Sequence, residues 1–255
     1  MRVLYSILLY FVQGLLPLIG LFSPKIRLFL RSRKEEEEDA HKIPEPEVPL
    51  FWMHVASLGE YEQGLPLLRA WKRNYPKHQR LVSFFSPSGY EQKKASAEAE
   101  FITYLPLDTP QAVRNFIDKW KPQMAIFVKY EIWPNLLWHL HNKSIPCFLL
   151  SARFHPGQIY FKWYGGWMRK HLDFFKALFV QNQASAHLLA SYIQSAVLVT
   201  GDSRFDRVEA TRKELEPLSF MEHFKGEQSL FVAGSSWPED EEVLISSINS
   251  PESRF

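Results

Sequence analysis

The sequence contains a single cysteine, Cys147, among its 255 residues. One cysteine excludes an intrachain disulfide and a metal site built from several thiolates. Cys147 lies in the apolar run Ile145–Leu150, and free cysteine packs as a small hydrophobic group. We therefore expect a buried structural thiol.

Several familiar nucleotide-binding and metal-binding motifs are also missing. The sequence has no Gly-x-Gly-x-x-Gly, no Walker loop, no Cys-x-x-Cys and no His-Glu-x-x-His. It lacks an Asp-x-Asp pair, which many metal-dependent sugar-nucleotide enzymes use. These absences favour a metal-independent reaction, and we expect no cofactor.

Neither sign of charge is in excess. Thirty basic residues against 28 acidic ones give a net charge of +2, which offers no argument for nucleic-acid binding. Any anion-binding patch must therefore be local.

Residues 1–34 combine a long apolar run with a basic flank. Val3–Ser23 carry no charge and approach the roughly 20 residues needed to cross a bilayer core. Three interpretations stay open: a spanning anchor, a helix lying among the headgroups, or a core helix of a soluble domain. The basic residues that follow predict that the next domain lies on the cytoplasmic face of the inner membrane, against anionic lipid (Lys25, Arg27, Arg31, Arg33 and Lys34).

The rest of the chain divides into three predicted parts. Residues 35–49 are acidic and proline-rich, which predicts an extended, solvated tether. Residues 50–222 alternate short apolar runs with amphipathic ones, which predicts an α/β domain with a parallel sheet covered on both faces. Residues 223–255 are expected to begin a second domain.

The predicted elements follow this alternation. Strands are expected at Leu50–Ala56, Arg80–Phe85, Phe101–Leu105, Met124–Val128, Cys147–Ser151, Ala177–Gln181, Ala196–Thr200 and Ser229–Ala233. Helices are expected at Glu60–Asn74, Ser88–Ala97, Thr109–Trp120, Ile132–Asn142, Ile159–Phe174, Gln183–Tyr192 and Glu239–Ile248.

The segment Trp52–Glu60 is the first candidate site. An apolar run leads into Ser57, Leu58, Gly59 and Glu60, so the acid lies at the carboxyl edge of the predicted sheet, where open α/β sheets bind ligands. We expect Gly59 to allow a sharp turn and the helix start to lower the pKa of Glu60. The residues leave two interpretations open, a general base or a favourable first-turn residue, and residue physics alone favours the second.

Three further candidates follow other predicted strands. Ser86, Ser88 and Gly89 could expose amides to a phosphate or sugar, although Ser88 also suits a plain N-cap. Glu131, with Lys129 beside it, could bind a polyhydroxyl substrate, although a surface ion pair explains both. An arginine at position 153 could hold a phosphate or carboxylate with two hydrogen bonds.

Taken together, the motifs resemble those of 3-deoxy-D-manno-octulosonic acid (Kdo) transferases. The matching segments occur in the family's order and spacing and extend over nearly the whole chain, namely His54–Glu60, Glu131–Pro134, Ser151–Arg153, Thr200–Asp206 and Ala233–Glu242. The chain departs from the family's usual residues at Lys129, where acceptor contacts are expected to differ, and also at Ser151 and at Asp202-Ser203-Arg204.

The resemblance implies a membrane-associated GT-B glycosyltransferase with two Rossmann-like domains. Its N-terminal domain would bind the lipid A precursor, and its C-terminal domain would bind the donor CMP-Kdo, in lipopolysaccharide biosynthesis. The transfer would invert the anomeric centre without a metal.

The resemblance also assigns expected roles to particular residues. Glu60 would be the general base, and the remaining matches would bind substrate (Ser57, Gly59, Ser86, Ser88, Gly89, Glu131 and Arg153). Ser235 and Ser236 would be donor-side contacts. Because family chains are longer, we expect a truncated donor domain, and the alternative is a non-catalytic, acceptor-binding fragment.

Overall fold

A computed structural model describes residues 1–40, 46–216 and 218–250. By their internal contacts, the residues divide into two compact units, Met1–Thr211 and Arg212–Phe255. The candidate residues up to Arg153 all lie in the first unit.

The first unit is built on one parallel sheet of seven strands in the order β3-β2-β1-β4-β5-β6-β7. The strands are β1 (Leu50–Val55), β2 (Gln79–Phe84), β3 (Phe101–Tyr104), β4 (Met124–Val128), β5 (Cys147–Ala152), β6 (Ala177–Val180) and β7 (Ala196–Val199). Every residue of β1 is buried, as expected for a central strand with helices on both faces. The predicted α/β class is confirmed.

The helices of the first unit are α1 (Arg2–Phe22), α2 (Pro24–Ala40), α3 (Leu58–Asn74), α4 (Pro87–Lys93), α5 (Pro110–Trp120), α6 (Pro134–Asn142), α7 (Gly166–Arg169), α8 (Gln183–Ala190) and α9 (Ser203–Glu214). The second unit contains α10 (Ser219–Lys225) and α11 (Pro238–Ile248). Proline occupies the first position of α4, α5 and α6, where its missing N–H costs no hydrogen bond. Asn182 caps α8 by accepting from the Ser185 amide at 2.9 Å.

The strand order reverses at β1. The chain runs outward from β1 through β2 to β3, and it then returns to place β4 on the other side of β1. In open α/β sheets, ligands bind at the carboxyl ends of the strands where the order reverses. The segments after β1 and β4 therefore flank the expected ligand crevice.

Two apolar layers cover the sheet. One face packs around Trp52 and Phe127, and the other packs around Phe51 and Met53, which are all fully buried. Cys147 is buried in the first layer, and burial raises the pKa of its thiol to about 12, so the expected structural thiol is confirmed.

The two N-terminal helices α1 and α2 form a hairpin, called here the helical hairpin (Arg2–Ala40). Arg27 closes its turn by donating to the carbonyls of Gly20 at 3.1 Å and Leu21 at 2.9 Å, which are otherwise unpaired at the end of α1. By length and composition α1 could cross a membrane, and most of its apolar side chains are exposed. This exposure argues against the interpretation of α1 as a core helix.

The helical hairpin packs on the α/β domain through polar contacts at both of its ends. Tyr5 donates to Asp108 at 3.0 Å, and Asp108 also accepts from the backbone amides of Asn135 and Leu136 at the start of α6. Burial raises the pKa of Asp108 to about 7. At the other end, Arg33 donates to the Phe85 carbonyl at 2.8 Å.

Three sequence predictions of local structure were wrong, and two helices were missed. The acidic run does not begin an extended tether at residue 35, because α2 continues to Ala40 and Arg31 pairs with Glu35 one turn later at 2.6 Å. The rest of the predicted tether includes residues 41–45, which lie outside the described residues. Ser229–Ala233 form no strand, and α9 and α10 were not predicted.

The helix expected over Ile159–Phe174 is broken into three pieces. A 3₁₀ turn at Ile159–Phe161 is followed by α7 and a second 3₁₀ stretch at Lys170–Phe174. A side chain at Gly165 would meet the Ile159 carbonyl oxygen at 1.6 Å, so the chain folds back on itself here. A continuous amphipathic pattern did not reveal this turn.

Candidate active site

Glu60 lies in the first turn of α3, directly after the buried strand β1. Ser57 is the N-cap residue with extended backbone angles, and Glu60 reaches back so that its Oε2 accepts from the Ala56 amide at 2.6 Å. Ala56 precedes the N-cap, so this hydrogen bond ties the loop between β1 and α3 to the first turn of the helix. The Glu60 side chain therefore supports the strand-to-helix turn.

Gly59 does not make the sharp turn that was expected of it. It lies within the first turn of α3, and its φ is not in the left-handed region. A side chain there would come no closer than 4.0 Å to Ser57 Oγ, so its surroundings are open. The bend from β1 into α3 is instead made by the extended Ser57.

The expected lowering of the Glu60 pKa is also wrong. Burial raises the pKa of Glu60 above its ordinary value, and the negative charge of Glu131 raises it further. The Ala56 hydrogen bond and the positive charges of Lys129 and His54 lower it by less. Desolvation of the half-buried carboxylate therefore outweighs the helix start.

Glu131 follows β4 and lies at the same sheet edge as Glu60. Its Oε2 accepts from Trp133 Nε1 at 2.9 Å and lies 3.1 Å from His54 Nε2. Lys129 precedes it with a left-handed φ of 67°, which turns the chain out of the strand. The two acids are near enough for the charge of Glu131 to act on Glu60, as the sequence predicted for one rim.

His54 connects Glu131 to the interior of the sheet and was not predicted as a site residue. It is fully buried on β1, and its Nδ1 lies 2.9 Å from Oγ of Ser83, the residue paired with it on β2. Ser83 Oγ also accepts from Trp52 Nε1 at 2.8 Å. The same Nδ1 lies 3.1 Å from the Ser83 carbonyl oxygen, so the imidazole contacts both the backbone and the hydroxyl of Ser83.

The resulting chain of hydrogen bonds runs from the core to the rim. Contacts within hydrogen-bond distance link Trp52, Ser83, His54 and Glu131 in turn, and a connected network of this kind is rigid. Glu131 is thereby held from both sides, by the imidazole of His54 and the indole of Trp133. A histidine inside an apolar strand was the only sequence signal of this arrangement.

The segment Ser86–Gly89 is attached to the Glu60 loop by backbone contacts. Ser86 donates its amide to the Ala56 carbonyl at 2.8 Å, and Ser86, rather than the expected Ser88, is the N-cap of α4. Ser86 Oγ and exposed Ser88 Oγ lie 2.8 Å apart. Both hydroxyls therefore lie beside the Glu60 loop.

Gly89 is buried and has a packing role. A side chain there would meet Phe84 Cδ1 at 2.8 Å and the Leu58 amide nitrogen at 3.0 Å. The missing Cβ thus lets α4 approach both β2 and the start of α3. Its assignment as a substrate contact stays a prediction.

Arg153 follows β5, two strands from β1. Its side chain is exposed, and its carbonyl accepts from Tyr130 Oη at 2.7 Å. Ser151 precedes it, buried and with a φ of 55°, and accepts from Gln181 Nε2 on its carbonyl at 3.0 Å. Since neighbouring strands lie about 4.8 Å apart, the Arg153 backbone is about 10 Å from the end of β1.

Ser235 and Ser236 lie in the second unit. Ser235 has a φ of 58°, and Ser236 Oγ lies 2.8 Å from Glu241 Oε1 at the start of α11. Within the described ranges, no group of three or more His, Cys, Asp or Glu side chains could hold a metal ion. The donor-side assignment of the two serines remains a prediction.

A parallel sheet that is covered by helices and whose strand order reverses at β1 is a Rossmann-like domain of the GT-B type. The UDP-GlcNAc 2-epimerase of Neisseria meningitidis is similar to the chain with a TM-score of 0.52 and 14% identity, over 70% of this chain and 53% of that one. The S. aureus MnaA–UDP co-structure has a TM-score of 0.51 and 13% identity, over 69% of this chain and 51% of that one. At these identities the likeness shows the fold alone.

The family model for 3-deoxy-D-manno-octulosonic-acid transferase (kdotransferase) matches residues 27–207. The chain therefore belongs to the Kdo transferase family.

Relatives of that name resemble the chain over different lengths. The transferase of Haemophilus influenzae is 28% identical over 260 residues, which cover 96% of this chain and 59% of that protein. The transferase of Aquifex aeolicus is 38% identical over 88 residues, which cover 34% of this chain and 24% of that protein. The chain thus spans about three fifths of the Haemophilus relative.

Proposed function

We propose that the chain supplies the acceptor-binding domain of an inverting, metal-independent Kdo transferase. The donor is CMP-Kdo, and the acceptor is the lipid A precursor of lipopolysaccharide biosynthesis. Family membership supports the reaction class. The observation that carries the proposed chemistry is the pair of acids at the strand reversal, with Glu131 fixed by His54 and Trp133.

Glu60 is the general base in this proposal. Its raised pKa makes it a better proton acceptor than an exposed carboxylate. It takes the proton of the acceptor hydroxyl as that oxygen attacks the anomeric carbon of Kdo, and the bond from that carbon to the CMP phosphate oxygen breaks. CMP leaves with the electron pair of that bond.

The other rim residues bind the acceptor in this proposal. Glu131 cannot move freely, because His54 and Trp133 fix its position, so it suits orienting a sugar hydroxyl rather than exchanging protons. The exposed Arg153 side chain can hold an acceptor phosphate, and Ser86 and Ser88 offer hydroxyls next to the Glu60 loop.

The proposed location is the cytoplasmic face of the inner membrane. Exposed apolar residues cover α1, and exposed basic side chains on α2 follow it, including Lys25, Arg31 and Lys34. This arrangement suits a helix in the membrane with its basic flank against anionic headgroups.

The activity is tested with the full-length gene product, CMP-Kdo and the lipid A precursor, with and without a chelator. We expect Kdo transfer at the same rate in both samples, with inversion at the anomeric carbon seen by NMR. Loss of transfer after chelation would contradict the metal-independent mechanism, and retention of configuration would contradict single displacement.

The same assay on the 255-residue chain addresses the alternative of a non-catalytic, acceptor-binding domain. Saturable binding of the lipid A precursor without binding of CMP-Kdo supports that alternative for this length of chain. Turnover by the same chain rejects it.

A further inference from the structure

A cavity of about 720 Å³ lies between the helical hairpin and the β3 edge of the sheet. Its volume falls within the roughly 300–1,000 Å³ of small-molecule sites. None of its lining residues belongs to the candidate active site. The lining comes from α1, α2, the end of β3 and α5, and includes Leu16, Leu30, Arg33, Leu107, Phe116 and Trp120.

The cavity combines apolar walls with positive charge. Leucine and aromatic side chains form the walls, whereas Arg33, Lys34 and Lys119 bring three cations to the lining. The one acid in the lining, Glu36, accepts a hydrogen bond from the Thr103 hydroxyl. Hydrophobic walls with a net positive charge suit an apolar chain that carries an anionic headgroup.

Two of the three guanidinium nitrogens of Arg33 are left without a hydrogen-bond partner by the described residues. Its Nη2 donates to the carbonyls of Phe85 and Leu105, but its buried Nε and Nη1 have no hydrogen-bond partner among the described residues. An unpaired buried donor is costly, so an anionic ligand oxygen at this point would stabilise the arrangement.

The cavity lies at the same edge of the sheet as Glu60. Leu105 and Leu107 directly follow β3, and β3 is two strands away from β1, so the two strand ends are separated by about 10 Å. The Ser86 segment lies between them, after β2. A molecule held in the cavity by an apolar chain can therefore extend its headgroup toward Glu60.

We propose that this cavity receives one acyl chain of the phosphorylated lipid acceptor, an inference that rests on the proposed function. The cavity is lined by residues of the folded domain, near the loops that carry Glu60 and Ser86. The exposed face of α1, in contrast, is available to the lipids of the membrane. The helical hairpin is then one wall of the substrate site as well as a membrane element.

The test uses the 255-residue chain in phosphatidylcholine vesicles without CMP-Kdo. The probe is the lipid A precursor carrying a diazirine at the end of one acyl chain, and its cross-links are mapped by mass spectrometry. We expect labelling within residues 105–120. Ala112→Trp, which places an indole in the lining, should reduce that labelling about tenfold, whereas Ala184→Trp on the exposed side of α8 should not.

Competition experiments and a second variant show whether a loss of labelling has a cause other than misfolding of Ala112→Trp. Unlabelled lipid A precursor should displace the probe, whereas its deacylated sugar phosphate and phosphatidylglycerol should not. Lys34→Glu at the exposed rim should weaken labelling without filling the cavity. Labelling of α1 alone, unchanged labelling of Ala112→Trp, or equal competition by phosphatidylglycerol would overturn the proposal.

Failure of this proposal can be told apart from failure of the proposed function, because no donor is present. Normal Kdo transfer by the full-length protein without labelling of residues 105–120 overturns the acyl-chain site alone. Labelling without any Kdo transfer overturns the proposed function and, with it, the description of the bound lipid as an acceptor.

Discussion

At the residue scale, the carboxylate of Glu60 has a structural contact in addition to its proposed role as general base. One oxygen accepts from the Ala56 amide and holds the start of α3, and the group is half-buried beside the charge of Glu131. The first-turn and general-base interpretations of Glu60 are thus compatible in one side chain. Burial sets its pKa in the direction that a base requires.

The pH dependence of catalysis follows from this environment. Burial and Glu131 raise the pKa of Glu60 above its ordinary value of 4.5. The proposed general base acts in its deprotonated form. We therefore expect kcat/KM of the full-length enzyme to fall, as the pH is lowered, through a pKa above 4.5.

A variant checks the proposed cause of that pKa. Glu131→Gln removes the neighbouring negative charge, so the acid limb of the pH profile should move to lower pH. The same change at exposed Glu91 should leave the limb in place. If the acid limb did not move in Glu131→Gln, the charge of Glu131 would not be a cause of the raised Glu60 pKa.

Ser83 supports the buried histidine, and its removal should be costly. Ser83→Ala leaves both Trp52 Nε1 and His54 Nδ1 without the hydroxyl between them, which should lower the free energy of unfolding by about 1–3 kcal/mol. Chemical denaturation measures this loss. Ser88→Ala, at an exposed hydroxyl, should keep its free energy of unfolding within about 0.5 kcal/mol of wild type. Equal losses in the two variants would mean that the buried network does not stabilise the fold.

At the element scale, the helical hairpin is held on the α/β domain by Arg33. Its guanidinium donates to the carbonyls after β2 and β3 and stacks on the rings of Phe29, Phe85 and Tyr104. Burial lowers the pKa of Arg33 to about 10, which leaves it charged at neutral pH. Lysine has the charge but not the planar, forked donors.

Arg33→Lys should therefore loosen α2. We expect a loss of about 1–3 kcal/mol in the free energy of unfolding and faster amide exchange in α2 and residues 105–107. Arg31→Lys is the matched control, because Arg31 is exposed and its pair with Glu35 is worth little. Similar exchange in both variants would mean that Arg33 does not hold the hairpin.

The sequence predicted most elements of the α/β domain because their patterns are local. All seven strands of the sheet coincide with apolar runs in the sequence. Glu60 and Glu131 were expected at one rim because the carboxyl ends of parallel strands lie at one edge of a sheet. The His54–Ser83 pairing joins residues 29 positions apart, and its register depends on a strand order that one sequence does not give. The break at Gly165 depends on a close approach to Ile159 that no periodicity records.

At the scale of the whole molecule, the helical hairpin combines the exposed apolar side chains of α1 with the basic side chains of α2. Neutralising Lys25, Arg31 and Lys34 to glutamine should weaken binding to anionic vesicles by about 1 kcal/mol per residue at low ionic strength. The difference should shrink as salt is raised.

Vesicle co-sedimentation of the 255-residue chain measures this binding. Matched changes of Lys143, Lys162 and Lys176, which lie outside the hairpin, should have a much smaller effect. Equal weakening by both sets would mean that net charge, rather than the basic flank of α1, determines membrane binding.

The central claim, that Glu60 is the general base, is tested most directly by Glu60→Gln in the full-length enzyme. Glutamine keeps an oxygen that can accept from the Ala56 amide but cannot take up the acceptor proton. With CMP-Kdo and the lipid A precursor, kcat should fall by about 10²–10⁴-fold while the free energy of unfolding stays close to wild type. Glu91→Gln should retain full activity, and a Glu60→Gln enzyme that kept the wild-type kcat would show that Glu60 only supports the turn before α3.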